Sequence, residues 1–272
     1  MHIHLVPDGG LCNRMRAMDS AIALARDNKW ELTVYWRQHR GILNCPFDRL
    51  FEPIPGLVVL EVKGFPVGFD NSFLSRSLRW YAGGLAVTRQ ECGTILSNGY
   101  DTQRWKGHKA LYMVSYSRFH PNKDLYTDFK PTEELLRLVE LQTKGFTQDT
   151  IGLHIRRTDN AMSIENSPLE RFEAAIQQEI ARNDRMNCYV ASDSEEIKEH
   201  LRMKFGERVI CTMGQADRDS PAGVMQAAVE LYALSRTQKI YGSYWSSFSH
   251  TAAHIGGIPE LTVMQNEFKL AQ

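Results

Sequence analysis

The chain has 272 residues, 43% hydrophobic and 24% charged, the proportions of an ordinary soluble globular protein with one large core or two smaller ones. Lys+Arg and Asp+Glu both total 32, so the formal net charge is zero and bulk electrostatics give no drive toward nucleic acid or an anionic membrane. Any basic site must therefore be local. The five cysteines (Cys12, Cys45, Cys92, Cys188 and Cys211) are odd in number, widely spaced and free of any C-x-x-C pair. That pattern favours reduced thiols and a cytoplasmic location over a disulfide framework or a zinc site. No basic leader precedes the first strand, and no segment approaches the roughly 18 apolar residues of a membrane span. Transient contact with a membrane-attached acceptor remains open.

In chain order, His2 to Val6 reads as a strand, with Ile3 and Leu5 on one face together with Met1. Pro7-Asp8-Gly9-Gly10 is a turn cluster, and a helix runs from about Asn13 to Asn28. Leu11, Met15, Met18, Ile22 and Ala25 recur at helical spacing and should face the sheet. Glu31 to Trp36 is a second strand, which completes a βαβ unit with a right-handed crossover. Between about Arg37 and Lys109 periodicity is poor. Leu57–Val62 reads as a strand, and the rest as loops or short helices. Ala110–Tyr116 is a further strand and Thr132–Thr143 a helix with acids in its first turn.

From Thr150 onward the alternation is cleaner. Strand Thr150–Ile155 leads toward a helix that Ser167 should cap, with Pro168 at its first position and Glu170 completing a capping box. Strand Asn187–Ala191, a helix opened by Ser194, strand Arg208–Thr212 and helix Gly223–Ser235 follow. Strand Lys239–Gly242, helix Ser247–Ile255 and strand Glu260–Met264 precede the tail. Repeated strand–helix pairs predict parallel sheets covered on both faces. The chain divides into two α/β halves, 1–144 and 145–272.

Four strand-end loops could carry chemistry. The first holds Gly9, Gly10, Leu11, Cys12, Asn13 and Arg14 at a helix N-terminus, where free backbone N–H groups favour an anion. It is neither G-x-G-x-x-G nor a P-loop, and a simple tight turn is the alternative. The second is His154-Ile155-Arg156-Arg157-Thr158-Asp159, two arginines at the carboxyl end of a strand. Arginine there suits phosphate or carboxylate, because its planar fork donates paired hydrogen bonds and keeps its charge. For Arg157 the alternative is a structural ion pair, and for His154 a satisfied core histidine. The third is Ala191-Ser192-Asp193-Ser194, small polar groups that either meet a ribose or base or merely cap a helix. The fourth is Ser243-Tyr244-Trp245-Ser246-Ser247-Phe248-Ser249, again opening a helix.

Two other patterns are set aside. His250 and His254 share a helix face, but Thr-Ala-Ala lies between them rather than the Glu-x-x of a zinc protease. Asp217-Arg218-Asp219 matches the D-x-D string of metal-dependent glycosyltransferases, a string expected about once by chance, and reads as a solvated loop.

H-x-R-R-x-D after a strand, Ala-Ser-Asp before an acidic helix start, and Ser-Ser-Phe at the last helix resemble the fucosyltransferase superfamily. That group includes core α1,6-fucosyltransferases, the rhizobial nodulation fucosyltransferase and protein O-fucosyltransferases. The glycine loop with Asn13 and Arg14 is similar to the family's N-terminal motif more loosely. The matches touch about 7–16 and most of 150–256. The resemblance implies a GT-B-like fold, two Rossmann-like domains whose parallel sheets face each other across a cleft. It also implies an acceptor-side N-terminal domain, a GDP-sugar donor in the C-terminal domain, and inversion without a metal or other cofactor. Arg156 would hold the β-phosphate, with Ser246, Ser247 and Phe248 near the diphosphate and His154 and Asp193 flanking the nucleoside. Glu230 matches an acidic residue that accepts guanine N1–H and N2–H₂, which would select guanine over adenine.

The chain departs from the core-type pattern in two places. Asn160 stands where those enzymes have a basic residue, and their proposed base is a glutamate five positions after the aspartate. Here Ile164 occupies that position and Glu165 the next. Asp159 and Glu165 are therefore rival bases.

The expected reaction transfers a sugar, L-fucose from GDP-fucose by resemblance, to a hydroxyl of a glycan acceptor by in-line displacement. Another GDP-hexose or a pentose donor, and a nucleotide-sugar-binding protein without transferase activity, are the alternatives. No nucleic-acid role is expected, since no basic stripe is present.

Overall fold

The computed structural model describes residues 1–100, 103–158, 160–212 and 217–270. Two compact units divide them: Met1–Thr132 with Arg218–Val224, and Glu133–Asp217 with Met225–Gln272. Helix Glu133–Thr143 thus groups with the second unit, whereas the sequence division falls at 144/145.

The first unit contains β1 (His2–Pro7), α1 (Leu11–Asn28), β2 (Glu31–Arg37), β3 (Leu57–Val62), α2 (Phe73–Tyr81), β4 (Gly84–Val87), α3 (Arg89–Ser97) and β5 (Ala110–Ser115). Its strands are all parallel, in the order β3-β2-β1-β5-β4. The five periodic residues of α1 are all buried, as their spacing predicts. The helix begins two residues earlier than expected, at Leu11, with Gly10 as an N-cap lacking a side-chain bond. Gly9 has φ +80, the left-handed region that glycine enters without strain.

Polar residues on α1 fix the loop after β5. Buried Asp19 accepts from Arg118 (2.7 Å), Asn122 (2.9 Å) and the Tyr126 amide (2.8 Å). Ser20 Oγ accepts the Phe119 and His120 amides. In the poorly patterned middle, the structure forms strand β4 and helix α3, the latter with a capping box between Thr88 and Glu91. The 218–224 segment joins this unit through hydrogen bonds: Asn44 N donates to Arg218 O, Gly41 N to the Asp219 carboxylate, and Asn44 Nδ2 to Asp219 O. The D-x-D loop is exposed at Arg218 and Asp219, but it is held rather than merely solvated.

The second unit contains α4 (Glu133–Thr143), β6 (Thr150–Ile155), α5 (Ala161–Asn166), α6 (Leu169–Arg182), β7 (Asn187–Ser192), α7 (Glu195–Phe205) and β8 (Val209–Ile210). It continues with α8 (Pro221–Leu234), whose first turn belongs to the other unit, then β9 (Ile240–Ser243), α9 (Ser247–Gly256), β10 (Glu260–Val263) and β11 (Phe268–Leu270). The sheet order is β11-β10-β9-β6-β7-β8, parallel except for β11, a terminal antiparallel strand absent from the sequence reading. Ile151, Leu153 and Ile155 of β6 pack with Phe172, Ala175 and Ile176 of α6 in the core. All of β6 is buried, as a central strand covered on both faces must be.

One cap is corrected. Ser167 does not close a capping box: the N-cap of α6 is Pro168, without a side-chain bond. Ser167 is instead buried, donating to Val263 O (2.6 Å) and accepting the Tyr244 amide (2.8 Å). The local Ser-Pro-x-Glu pattern is real, but two tertiary backbone partners claim the hydroxyl. Ser194 does cap α7, through the Ile197 amide. Among the described residues no helix is long and apolar enough to cross a membrane, and no disulfide joins the cysteines.

Candidate functional site

In the second sheet the chain moves outward from β6 through β7 to β8, then returns to β9 on the other side of β6. The crevice between the carboxyl ends of β6 and β9 is therefore a topological switch point, where open α/β sheets bind ligands. Two of the four loops singled out in the sequence meet there. Arg156 N donates to Ser243 Oγ (3.0 Å), and Ser243 Oγ donates to His154 O (3.2 Å). The His154 ring stacks on Phe248 with centroids 4.8 Å apart, and its Nδ1 lies 3.2 Å from Ser246 Oγ.

Burial, followed by the nearby Arg156 cation, pushes the His154 pKa down to about 3, so the ring is neutral at ordinary pH. Ser246 caps α9, accepting the Phe248 amide, so a ten-residue helix opens at this crevice with Ser247 in its first turn. Gly242 is what lets α9 lie so close to β9. A Cβ there would stand 2.5 Å from Ser249 Oγ and 2.6 Å from Glu260 Oε1.

The two arginines part company. Arg157 donates from its guanidinium to Arg156 O (2.9 Å) and Ser167 O (2.8 Å), and stacks near Phe172. Burial lowers its pKa, with Asp193 opposing. Arg157 is thus a backbone clamp, bonded by its side chain to carbonyls rather than to an acid. Arg156 has a half-buried side chain at the end of β6.

The third loop braces the second. Asp193 accepts from the Arg157 amide (2.7 Å), the Thr158 amide (3.2 Å) and Thr158 Oγ1 (2.7 Å). Burial alone would raise this carboxyl, but the Thr158 hydroxyl and the two amides hold it below the usual range. Ser192 is buried, donating to Ile155 O (2.7 Å) and accepting the Ser194 amide. Both side chains join β7 to the β6 loop.

Glu230 is buried on α8, 3.4 Å from Lys198 Nζ. Burial raises its carboxyl to about 7 despite that cation. Lys198 also reaches Glu195 (3.1 Å) and Thr212 O (3.0 Å). Sequence reasoning missed Lys198, because a lysine on an acid-rich amphipathic helix reads as solvated. It also gave Ser243 and Thr158 no anchoring role, and only the strand pairing reveals one.

Of the rival bases, Asp159 lies outside the described residues. Glu165 is exposed on α5, and its backbone carbonyl accepts from Gln265 Nε2. The loop of Tyr244 and Trp245 is pinned from both sides. Ser163 Oγ donates to Tyr244 O (2.6 Å), and the Tyr244 amide donates to Ser167. Trp245 has φ +56 and is 73% exposed, a strained backbone for a bulky residue.

In the first unit, the N-terminal loop opens α1 with Gly10 as its N-cap. Leu11, Cys12 and Arg14 are buried. Arg14 donates to Gly9 O (2.9 Å) and Arg37 O (2.6 Å) and packs over Trp36, so its guanidinium faces the core. Burial lowers its pKa to about 10, with Asp8 opposing. Asn13 is half-buried, and Gly10 contributes the helix N-terminus. Elsewhere, His250 and His254 do share a face, with Nε2 atoms 3.1 Å apart. Among the described residues no group of three side chains is placed to hold a metal.

No family model and no curated protein matches the chain. Solved structures do. The fucosyltransferase NodZ soaked with GDP-fucose superposes with a TM-score of 0.69 at 15% identity, covering 100% of this chain and 98% of that one. An Arabidopsis thaliana FUT1 mutant in complex with GDP gives 0.62 at 18% identity, over 96% and 69% of the two chains. POFUT1 in complex with GDP gives 0.57 at 12%, over 96% and 98%. At such identities the likeness is one of architecture. With its two mostly parallel sheets clothed in helices, the chain has the GT-B-like α/β fold seen in these solved structures.

Proposed function

We propose that this protein is an inverting glycosyltransferase that uses a GDP-sugar, foremost GDP-fucose, and transfers the sugar to a hydroxyl of a glycan acceptor without a metal. The observation that carries this reading is the convergence of Arg156 and the N-terminus of α9 at the β6/β9 switch point. Arginine and a helix N-terminus at one strand end suit a diphosphate leaving group. The NodZ structure soaked with GDP-fucose and the FUT1 and POFUT1 complexes with GDP share this architecture and point to the same class of donor.

In the reaction the acceptor oxygen attacks the anomeric carbon, and the bond from that carbon to the β-phosphate oxygen breaks. A carboxylate, Asp159 or Glu165, takes the acceptor proton, and GDP leaves with the bonding pair. Arg156 and the amides opening α9 offset the charge that grows on the β-phosphate. His154, neutral and stacked on Phe248, forms a wall without adding positive charge of its own. Glu230 is the candidate guanine reader, its Lys198 partner favouring the ionised form that accepts N1–H and N2–H₂. Trp245 offers an exposed ring face to a sugar.

The test is Arg156→Ala, assayed for sugar transfer from GDP-fucose and for GDP binding by thermal shift. Turnover should fall by about a hundredfold or more, the scale of one preorganised donor, while the unliganded melting temperature holds. Near-full activity would overturn the assignment. A panel of GDP, ADP and UDP should show stabilisation by GDP alone; equal stabilisation by all three would remove the role given to Glu230.

A further inference from the structure

Helix α2 is packed with its polarity reversed. Its buried side carries Ser75 and Arg79, and its outer side carries Phe73, Leu74, Trp80 and Tyr81. Hydrogen bonds to the preceding loop hold the polar side down. Ser75 Oγ accepts the Gly68 amide (2.9 Å), and Arg79 donates to Gly68 O (2.6 Å) and Asp70 O (2.7 Å). Phe73, Trp80 and Tyr81 are 87%, 84% and 87% exposed, and at helical spacing they share one face. The loop tied to the helix through Gly68 adds exposed Phe65 and Val67. A contiguous apolar patch of this kind marks a docking surface.

Charge identifies the occupant. The helix has no acidic residue, Arg76 flanks its aromatic face, and the Lys109 side chain lies against Gly83 just past its end. From 63 to 109 seven Lys and Arg stand against three Asp and Glu; Arg79 faces inward, Arg89 pairs with Asp8 and Arg104 with Glu91, which leaves Lys63, Arg76, Lys106 and Lys109 to set the local charge. Trp and Tyr beside Arg and Lys are the residues that settle at the headgroup level of a bilayer. A second copy docking face to face would oppose like charges across the two-fold axis.

We propose that α2 is a membrane-surface anchor, laying its Phe73–Trp80–Tyr81 face into the interface of a bilayer that carries anionic headgroups. The basic surround supplies the long-range attraction and the aromatic rings the insertion. Docking needs no donor nucleotide, so its outcome is separable from that of the transferase reading.

The full chain would be floated with phosphatidylcholine vesicles, with and without phosphatidylglycerol. It should rise with the anionic vesicles only, with a blue shift of Trp emission that Trp80→Phe removes. A Phe73→Ser/Trp80→Ser/Tyr81→Ser variant should lose binding by about a hundredfold, because the transferred apolar area is gone. Its melting temperature should hold, since these side chains are exposed. Arg76→Glu should weaken binding by at least about fivefold. The proposal is overturned if neither vesicle binds, if neutral vesicles bind as well, or if the triple variant still binds. It is equally overturned if the triple substitution abolishes self-association of a chain that ignores vesicles.

Discussion

The loops after β1 and β6 look alike in sequence, each placing an arginine beside the carboxyl end of a central strand, yet the structure treats them in opposite ways. After β1 the chain enters α1 directly, and Arg14 falls on the helix side that packs against the sheet. Its fork then satisfies the carbonyls of Gly9 and Arg37. After β6 the chain stays irregular through Thr158, and the two arginines divide the work. Arg157 clamps carbonyls of Arg156 and Ser167, while Arg156 stays half-buried at the switch point. An arginine near a strand end is spoken for when backbone carbonyls take its donors, as those of Gly9 and Arg37 do for Arg14. The same planar fork that grips a phosphate also grips two carbonyls.

Substitution can break this contrast. The largest expected effect is on catalysis. Arg156→Ala should lose about a hundredfold or more in turnover at unchanged stability, whereas Arg157→Ala should lose stability. If Arg157→Ala leaves the denaturation midpoint where it was, the division of labour between the two arginines is wrong. Arg14→Met should cost about 2–3 kcal/mol by leaving two buried carbonyls unpaired, measured by urea denaturation. A neutral result would show that Arg14 faces solvent in solution.

Acidity sharpens the second unit further. Glu230 has its folded pKa raised to about 7, above an unfolded value near 4.5, so between those values the folded state holds a proton the unfolded state has lost. This group's contribution to stability therefore falls as pH rises through that window, and Glu230→Gln should flatten the slope. His154 acts oppositely. Its folded pKa near 3 lies below the unfolded 6.5, so its contribution is lost as pH falls from 6.5 toward 3. Melting temperatures of Glu230→Gln and His154→Gln across pH 3 to 8 would separate the groups, and curves parallel to that of the unsubstituted protein would refute both shifts. The smallest effect contrasts two serines. Ser167→Ala should cost about 2 kcal/mol by orphaning the Tyr244 amide and Val263 carbonyl, against about 1 kcal/mol for the N-cap Ser194. Equal costs would return Ser167 to the role of a simple cap.

Much of the second sheet could be read from local pattern. The β6 run Thr150–Ile155 is apolar enough to be central, and Ser194 and Ser246 sit where helices begin. The switch-point site was legible for the same reason, since strand order along a doubly wound sheet places its loops together. The 37–109 region was less so. There β3, Leu57–Val62, was read from the sequence, but β4 is four residues opening on a glycine, and α2 buries its polar side. Neither of the latter two shows the apolar inward face that burial normally imposes.

By itself, then, the sequence determined the α/β class, the parallel sheets and the four loops worth examining, because hydrophobic period and helix caps act over a few residues. Only the tertiary structure decided which polar groups in those loops were already engaged. Arg14, Arg157, Ser192 and Asp193 each found a partner distant in sequence or on an adjacent backbone. A buried donor or acceptor must be paired, and local sequence does not show which distant carbonyl or amide the folded chain will bring to it.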